Sequence, residues 1–145
     1  SFTMLFDSLR RFNEPFIIYG FHTERTDGNL MYKRFNEDEF YHDISSAKAV
    51  IVNGGFTVIS EALYLKKPIF SLPIRHQFEQ LFNAQCIERM GVGVSRKKFC
   101  EDDLRDFVSH LDSFSENLLK YDAGDQEKIL ARIKQEIQRL VNEKK

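Results

Sequence analysis

The chain has 145 residues, and its pattern predicts an α/β domain built on a doubly wound parallel sheet. Short apolar runs, typical of buried strands, alternate with amphipathic stretches typical of helices. A pair of glycines follows one of these runs, at the position where such sheets bind ligands. With 42% hydrophobic residues and no linker, repeat or low-complexity tract, residues 1–145 are expected to form a single domain with its own core.

Strand and helix signals alternate through the first half of the chain. Asn36, with Glu39 three positions later, resembles a capping box and opens a helix. Asp27 and Gly28 mark a turn within a polar stretch. The expected elements are a helix with Phe2, Leu5, Phe6 and Leu9 inward, a strand at 16–20, a loop at 22–29, a strand at 30–35, a helix at 37–47 and a strand at 49–52.

The second half continues the alternation and ends in helices. Three acidic residues, 101–103, favour a helix start there because they face its positive end. The expected elements are a helix at 56–66, a strand at 69–72, a helix at 78–90, a strand at 92–94, a helix marked by Leu104, Phe107, Val108 and Leu111, and a last helix marked by Ile129, Ile133, Ile137, Leu140 and Val141.

One element of the expected fold has no counterpart in the sequence. A doubly wound sheet begins with a strand that lies in the middle of the sheet, whereas this chain begins at Ser1 with a helix. We therefore expect the first strand to be absent from residues 1–145, and the chain to be part of a longer protein.

Bulk composition limits the function classes. Basic and acidic residues nearly balance, 21 against 22, so no excess positive field is available for binding nucleic acid. Cys86 and Cys100 show no metal-ligand or CxxC spacing, which favours buried thiols in a reducing cytoplasm. No window resembles a membrane span or leader. We expect a cytoplasmic protein with small-molecule or protein partners.

The paired glycines, Gly54 and Gly55, predict a phosphate site. Glycine permits a positive φ and lets a ligand approach the backbone. The amides of Phe56, Thr57 and Val58 then present the positive end of the following helix to an anion. A tight turn without any ligand is the alternative explanation. No GxGxxG or GxxxxGK[ST] motif is present, so dinucleotide oxidoreductases and P-loop enzymes are not supported.

Two further groups of polar residues follow the glycine turn. Glu61 lies one turn into the next helix, where its carboxylate would meet the hydroxyls of a ribose attached to the diphosphate. Glu79, Gln80 and Asn83 lie near the start of the helix after that, and supply the acceptors and amides that sugar hydroxyls require. Taken separately, each group could also be an ordinary solvated helix face.

As a joint pattern these residues resemble a known family. The pattern consists of Gly54, Gly55, Ser60, Glu61, Ala62, Lys67, Pro68, Pro73, Glu79, Gln80, Asn83, Ala84 and Gly91. It is similar to the C-terminal, donor-binding domain of GT-B glycosyltransferases, including peptidoglycan N-acetylglucosaminyltransferases, UDP-glycosyltransferases and a predicted bacterial and archaeal subgroup. The likeness is close over residues 44–94.

The resemblance implies a role for each matched position. Gly54, Gly55, Thr57 and Val58 would hold the diphosphate, Glu61 the ribose, and Glu79, Gln80 and Asn83 the sugar side. The base would lie at the turn formed by Arg34, Phe35 and Asn36, and the donor would be a nucleotide sugar, most simply a UDP-sugar. Asn53 falls where plant and animal relatives carry a phosphate-binding His, so that contact is not carried over. Arg75 and His76 are exposed-loop candidates beside the same site.

The resemblance also implies what the chain lacks. The acceptor and the catalytic base would belong to an N-terminal domain or partner subunit, so no catalytic residue is assigned, and peripheral membrane association could arise through that domain. No DxD-like metal pattern is present, and we expect hexosyl transfer without a metal or cofactor. Two alternatives stay open: a UDP-sugar 2-epimerase, disfavoured by the stretch LPIRHQFEQ, and a non-catalytic nucleotide-binding subunit.

Overall fold

The computed structural model describes residues 2–121, so the expected last helix lies outside the described residues. Helices and strands alternate along most of this range, as the sequence pattern predicts. The elements are α1 (Phe2–Leu9), β1 (Phe16–Ile18), β2 (Arg25–Asp27), β3 (Leu30–Tyr32), α2 (Glu37–Ser46), β4 (Val50–Val52), α3 (Phe56–Tyr64), β5 (Ile69–Ser71), α4 (Phe78–Met90), β6 (Gly93–Ser95), α5 (Glu101–Ser109) and α6 (Leu111–Lys120).

The strands form two three-stranded sheets. The first has the order β1-β3-β2, in which β1 and β3 are parallel and β2 is antiparallel. The second has the order β4-β5-β6 and is parallel throughout. The strand order and the helices between the strands are those of an α/β doubly wound fold, and the predicted fold class is confirmed.

β1 and β4 each leave one edge unpaired within residues 2–121. The Phe16 amide donates to Asn29 O at 2.8 Å, and the Val50 amide donates to Pro68 O at 2.9 Å. Because alternate residues of a parallel strand bond to opposite neighbours, the backbone groups of Ile17 and Ile51 point away from β3 and β5. These two edges are where the expected first strand would pair.

The main core contains residues from both sheets. Leu30 from β3 and Phe70 from β5 are fully buried in the same cluster as Phe107 from α5. Leu5 and Leu9 of α1 pack into it, as their helical spacing predicts. Partly buried residues in β1 and in or just before β4 line this cluster: Phe16, Ile18, Ala49 and Ile51.

A second core covers the opposite face of β4, β5 and β6. Ile59 and Ala62 of α3 are buried against Ile87 of α4. Ile69 supplies the sheet side of this core, and Leu118 of α6 is also fully buried in it. The second sheet is therefore covered on both faces, which explains why all three residues of β5 are buried.

Several sequence expectations need correction. Residues 25–27 are not loop but strand β2, which forms a hairpin with β3 across Gly28 and Asn29. Leu111 does not extend α5; it starts α6, a helix that the sequence analysis did not predict. Cys100 is exposed rather than buried, and Cys86 is half-buried; both are free thiols. Among residues 2–121, no helix is long and apolar enough to cross a bilayer.

Candidate functional site

The glycine turn lies at the carboxyl end of β4 and is fixed by α4. Gly54 has a φ of +95°, in the region that favours glycine. A Cβ at this position would come within 3.1 Å of both Gln80 Cβ and Gln80 O. The Asn83 side-chain amide also donates to Gly54 O at 3.1 Å. Packing against α4 therefore accounts for Gly54 without any ligand.

Gly55 is different, because the fold does not require a glycine there. Its φ of −63° is ordinary for any residue, and a Cβ would meet only Asn53 Oδ1, at 3.7 Å. Gly55 is the N-cap of α3 and has no side chain to cap it. Within residues 2–121, no side chain accepts from the first amides of α3, Phe56 to Val58, and a helix start of this kind favours an anion.

Glu61 lies on α3, facing α2. Its Oε1 accepts a hydrogen bond from the Tyr41 hydroxyl at 3.1 Å, in a contact that lies at the surface. Its other oxygen, Oε2, is shielded from solvent and has no hydrogen-bond partner among the described residues. The hydrogen bond to Glu61 raises the pKa of Tyr41, so the phenol stays protonated and remains a donor.

The residues predicted to contact the sugar differ in whether their side chains are available to a ligand. Glu79 is exposed in the first turn of α4. Gln80 is buried, with its side-chain oxygen accepting from the Ile74 amide at 2.9 Å and its nitrogen donating to Gln77 at 2.8 Å. Asn83 donates to the glycine turn. In this arrangement Glu79 can meet a ligand directly, whereas Gln80 and Asn83 shape the loops around it.

The turn that is predicted to bind the nucleobase carries an exposed aromatic ring. Phe35 is 68% exposed, yet it is held by Tyr19 and Phe40, whose ring centres lie 6.5 and 5.3 Å from it. Asn36 uses its side-chain oxygen to accept from the Glu39 amide at 3.1 Å, which caps α2 as predicted. A fixed, exposed ring is a suitable stacking surface for a nucleobase.

A partly buried ion pair supports this aromatic group. Asp43 accepts from the Tyr19 hydroxyl at 2.6 Å and from Lys33 Nζ at 2.7 Å. Burial acts to raise the pKa of Asp43, but the hydrogen bonds from Lys33 and Tyr19 outweigh it and the pKa lies below its usual value. Burial and the bond to Asp43 raise the pKa of Tyr19, so the network is stable at neutral pH.

Arg75 and His76 lie in the loop between β5 and α4, in a cleft of about 390 Å³ that also contacts Pro73, Leu81 and Lys97. His76 has a φ of +66°, which is uncommon outside glycine. Leu81 of α4 lines this cleft, whereas Asn83, two positions further along the helix, contacts the glycine turn.

A model of a known protein family matches most of the chain. The model described as "Glycosyl transferase family 1" matches residues 1–112. The chain belongs to glycosyl transferase family 1. Its fold is that of a GT-B glycosyltransferase domain, as the sequence pattern predicts.

Known proteins similar to this family 1 chain include one curated relative and two solved structures. The relative, from Bacillus cereus, is "UDP-N-acetylglucosamine--N-acetylmuramyl-(pentapeptide) pyrophosphoryl-undecaprenol N-acetylglucosamine transferase 3", 37% identical over 57 residues, covering 37% of this chain and 16% of the relative. The structures are a glycotransferase of kitacinnamycin, with a TM-score of 0.68, 17% identity and coverage of 82% of this chain, and a spinosyn forosaminyltransferase, with a TM-score of 0.72, 16% identity and coverage of 92%.

The chain spans only part of each of these proteins. It covers 16% of the curated relative, and 33% and 39% of the two solved chains. At 16 to 17% identity the solved structures establish the fold of this family 1 chain and nothing about its ligand. The epimerase alternative finds no support among these matches, whose names are all those of transferases.

Sequence reasoning missed two side chains of the site, Tyr41 and Tyr19. Tyr41 donates a hydrogen bond to the predicted Glu61, and the Tyr19 ring packs against the predicted Phe35. Tyr41 is 20 positions from Glu61 in the sequence, and no motif links the two. The one signal that the sequence offered was an aromatic residue, Tyr41, on the outer face of the short helix α2.

Proposed function

We propose that this chain is the donor-binding domain of a glycosyltransferase that uses a nucleotide-diphosphate sugar, with UDP-sugar as the first candidate. The diphosphate lies against Gly54, Gly55 and the amides of Thr57 and Val58. Glu61 receives the ribose and Glu79 faces the sugar. The base stacks at the turn of Arg34, Phe35 and Asn36.

One observation carries this proposal: Gly55 is a glycine that the fold itself does not need. Gly54 is explained by its positive φ and by α4, but Gly55 has an ordinary backbone, and a Cβ there would make only an ordinary contact with Asn53 Oδ1 at 3.7 Å. This position lies at an uncapped helix start. A ligand that approaches the backbone there, and is anionic, accounts for both features.

The helix start cannot supply the whole affinity. A helix terminus stabilises an anion by about 0.3 to 2 kcal/mol, whereas micromolar binding requires about 8 kcal/mol. Contacts to the base, ribose and sugar are therefore part of the proposal. In the reaction, the same amides would stabilise the negative charge that develops on the leaving diphosphate, as fixed dipoles do in electrostatic catalysis, without a metal ion.

The acceptor and the base that deprotonates it belong, in this proposal, to another domain of a longer protein or to a partner subunit. The chain covers no more than 39% of either solved relative, which leaves room for such a domain. We expect residues 1–145 to bind a nucleoside diphosphate but to transfer little or no sugar by themselves. Sugar transfer by the isolated chain would contradict this expectation.

Calorimetry with Gly55→Ala tests the glycine turn directly. Stability should fall by about 0.5 to 2 kcal/mol at most, the usual cost when alanine replaces a favoured N-cap residue, because the added methyl group has space. Affinity for nucleoside diphosphates (UDP, GDP and dTDP, with CMP for comparison) should fall at least about tenfold, equivalent to 1.4 kcal/mol, because the methyl group occupies the approach to the amides.

Gly28→Ala is the matched control. Gly28 lies in the hairpin between β2 and β3, with a φ of +61° and open space, so an alanine there costs about 1 kcal/mol of stability without touching the turn. Its nucleotide affinity should equal that of the wild type. If Gly55→Ala binds as tightly as Gly28→Ala, no ligand approaches the Gly55 backbone and the proposal is wrong.

Glu61→Ala tests the ribose end of the site. Removing a charged hydrogen-bond partner should weaken binding by about 1.5 to 3 kcal/mol. UDP and GDP carry the same ribose and diphosphate and differ only in the nucleobase, so the loss of affinity should be similar for both. An unchanged affinity would remove Glu61 from the ribose role while leaving the diphosphate site intact.

A further inference from the structure

We propose that Tyr41 is a second ribose-contacting residue, and that Tyr41 and Glu61 together bind the two vicinal hydroxyls of the ribose. This inference rests on the proposed function and deepens it, because it adds a specificity-determining side chain from α2. It also changes the expected role of Glu61, which the sequence alone suggested would receive both hydroxyls through its two oxygens.

The orientation of the Glu61 carboxylate is the first observation. Oε2 is turned into the protein, shielded from solvent and without a hydrogen-bond partner among the described residues. Oε1 accepts from Tyr41 at the surface. A ligand arriving from solvent therefore meets one carboxylate oxygen, and that oxygen keeps a lone pair after bonding to Tyr41.

Tyr41 supplies the second oxygen. Its hydroxyl donates its single proton to Glu61, so its own lone pairs remain available as acceptors. The two oxygens are 3.1 Å apart, a separation similar to that between the hydroxyl oxygens of a cis-diol. One ribose hydroxyl can donate to Glu61 Oε1 while its neighbour donates to Tyr41 Oη.

The position of the pair in the fold fits a ribose. Tyr41 lies one turn into α2, which follows the turn of Arg34, Phe35 and Asn36, and Glu61 lies on α3, which follows the glycine turn. The pair thus spans the two helices whose starts carry the candidate base and diphosphate sites. Ribose is the part of a nucleotide that joins base to diphosphate.

The experiment measures binding of UDP, 2′-deoxy-UDP and 3′-deoxy-UDP to residues 1–145 by calorimetry, for the wild type, Tyr41→Phe and Glu61→Ala. In the wild type, loss of either hydroxyl should weaken binding about tenfold, the effect of one hydrogen bond. Tyr41→Phe should become insensitive to the loss of one hydroxyl and stay sensitive to the loss of the other. Glu61→Ala should weaken UDP binding and lose sensitivity to the hydroxyl that Tyr41→Phe still detects.

Tyr64→Phe is the matched control, since Tyr64 is an exposed tyrosine on the same helix as Glu61, 64% accessible. It should keep the wild-type pattern for all three nucleotides. Thermal melting of each variant separates a folding defect from a binding defect: a purely structural link between α2 and α3 would lower the melting temperature and leave the ratio of UDP to deoxy-UDP affinities unchanged.

The outcomes distinguish this inference from the proposed function. If Tyr41→Phe keeps the wild-type discrimination against both deoxynucleotides, Tyr41 is not a ribose contact, while donor binding stands. Equal binding of UDP and both deoxynucleotides by the wild type would overturn this inference and the ribose role of Glu61, and would leave the diphosphate site standing. A wild type that binds no nucleoside diphosphate overturns the proposed function, and this inference with it.

Discussion

Glycine residues around the second sheet show how single atoms constrain this domain. A Cβ at Gly93 would lie 1.9 Å from Ile69 O in the neighbouring strand. At Gly91, which ends α4 with a φ of +63°, a Cβ would lie 2.8 Å from the Asn117 side-chain nitrogen. Asn117 in turn donates to Gly91 O at 2.8 Å. These positions are fixed by packing, in contrast to Gly55.

Gly93→Ala should strongly destabilise the domain. The clash is with backbone rather than with a movable side chain, so β5 and β6 must separate, and we expect a loss of about 3 kcal/mol or more. Denaturant unfolding measures it. Gly28→Ala, with an equally small change in volume and open space, should lose only about 1 kcal/mol. Equal losses for the two variants would show that separating β5 from β6 costs little free energy.

At the scale of single elements, α2 depends on its N-cap. The Asn36 side chain accepts from the Glu39 amide, and three acidic residues, 37–39, occupy the first turn. α2 is short and presents few buried residues, chiefly Asp43 and Ile44, so its start contributes much of its stability. Its position matters because it carries Tyr41 and follows the candidate base site.

Asn36→Ala should destabilise the domain by about 0.5 to 2 kcal/mol, the usual cost of losing a capping side chain. Asn36→Asp keeps the acceptor and should retain most of the stability. Chemical denaturation of the three proteins gives the comparison. If alanine and aspartate variants lose the same amount, the hydrogen bond to Glu39 is not what stabilises the helix start.

At the scale of the whole molecule, an ion-pair network joins the segment after α1 to α5. Glu101 accepts from Arg11 Nε at 2.9 Å and from Arg105 at 2.7 Å. Arg105 also lies over the Phe12 ring, 4.5 Å from its centre. The hydrogen bond from Arg11, and then that from Arg105, lower the pKa of Glu101 from 4.5 to about 2.

This lowered pKa predicts a pH dependence of stability. Because the folded pKa lies below the unfolded value, Glu101 contributes its full stabilisation above about pH 4.5 and loses it as the pH falls through about 2. The difference in unfolding free energy between wild type and Glu101→Gln should therefore be constant near neutral pH and shrink over that acid range. A difference that does not change with pH would show that the ion pairs contribute nothing. Added salt should also reduce it, since the network is exposed.

The open edges of β1 and β4 give a second prediction at this scale. In residues 1–145, the amides of Ile17 and Ile51 should exchange with solvent faster than those of Phe16 and Val50, whose hydrogen bonds to the next strand are present. In a longer polypeptide that supplies a strand between the two sheets, all four should be protected. Slow exchange of Ile17 and Ile51 in the short chain would show that the edges are already satisfied.

The sequence by itself determined the class of fold and the position of the glycine turn. Apolar periodicity is a local property, so it located α1, α2 and α4 closely, and the residues Leu5 and Leu9, predicted to face inward, are buried. It failed for β2, whose exposed residues Arg25 and Thr26 carry no apolar signal. That strand exists because β3 offers it an edge, which is a property of the partner and not of the segment.

Only the tertiary structure decided how the two glycines differ and which side chains meet. Gly54 and Gly55 look alike in the sequence, but α4 packs against one and leaves the other open. Gln80 resembles a ligand contact until its amide is found bonded inside the protein, and Tyr41 becomes part of the site only because α2 lies beside α3. The spacing of residues in the sequence determines which face of a helix or strand each side chain lies on. The distance between side chains on different elements depends on how those elements pack.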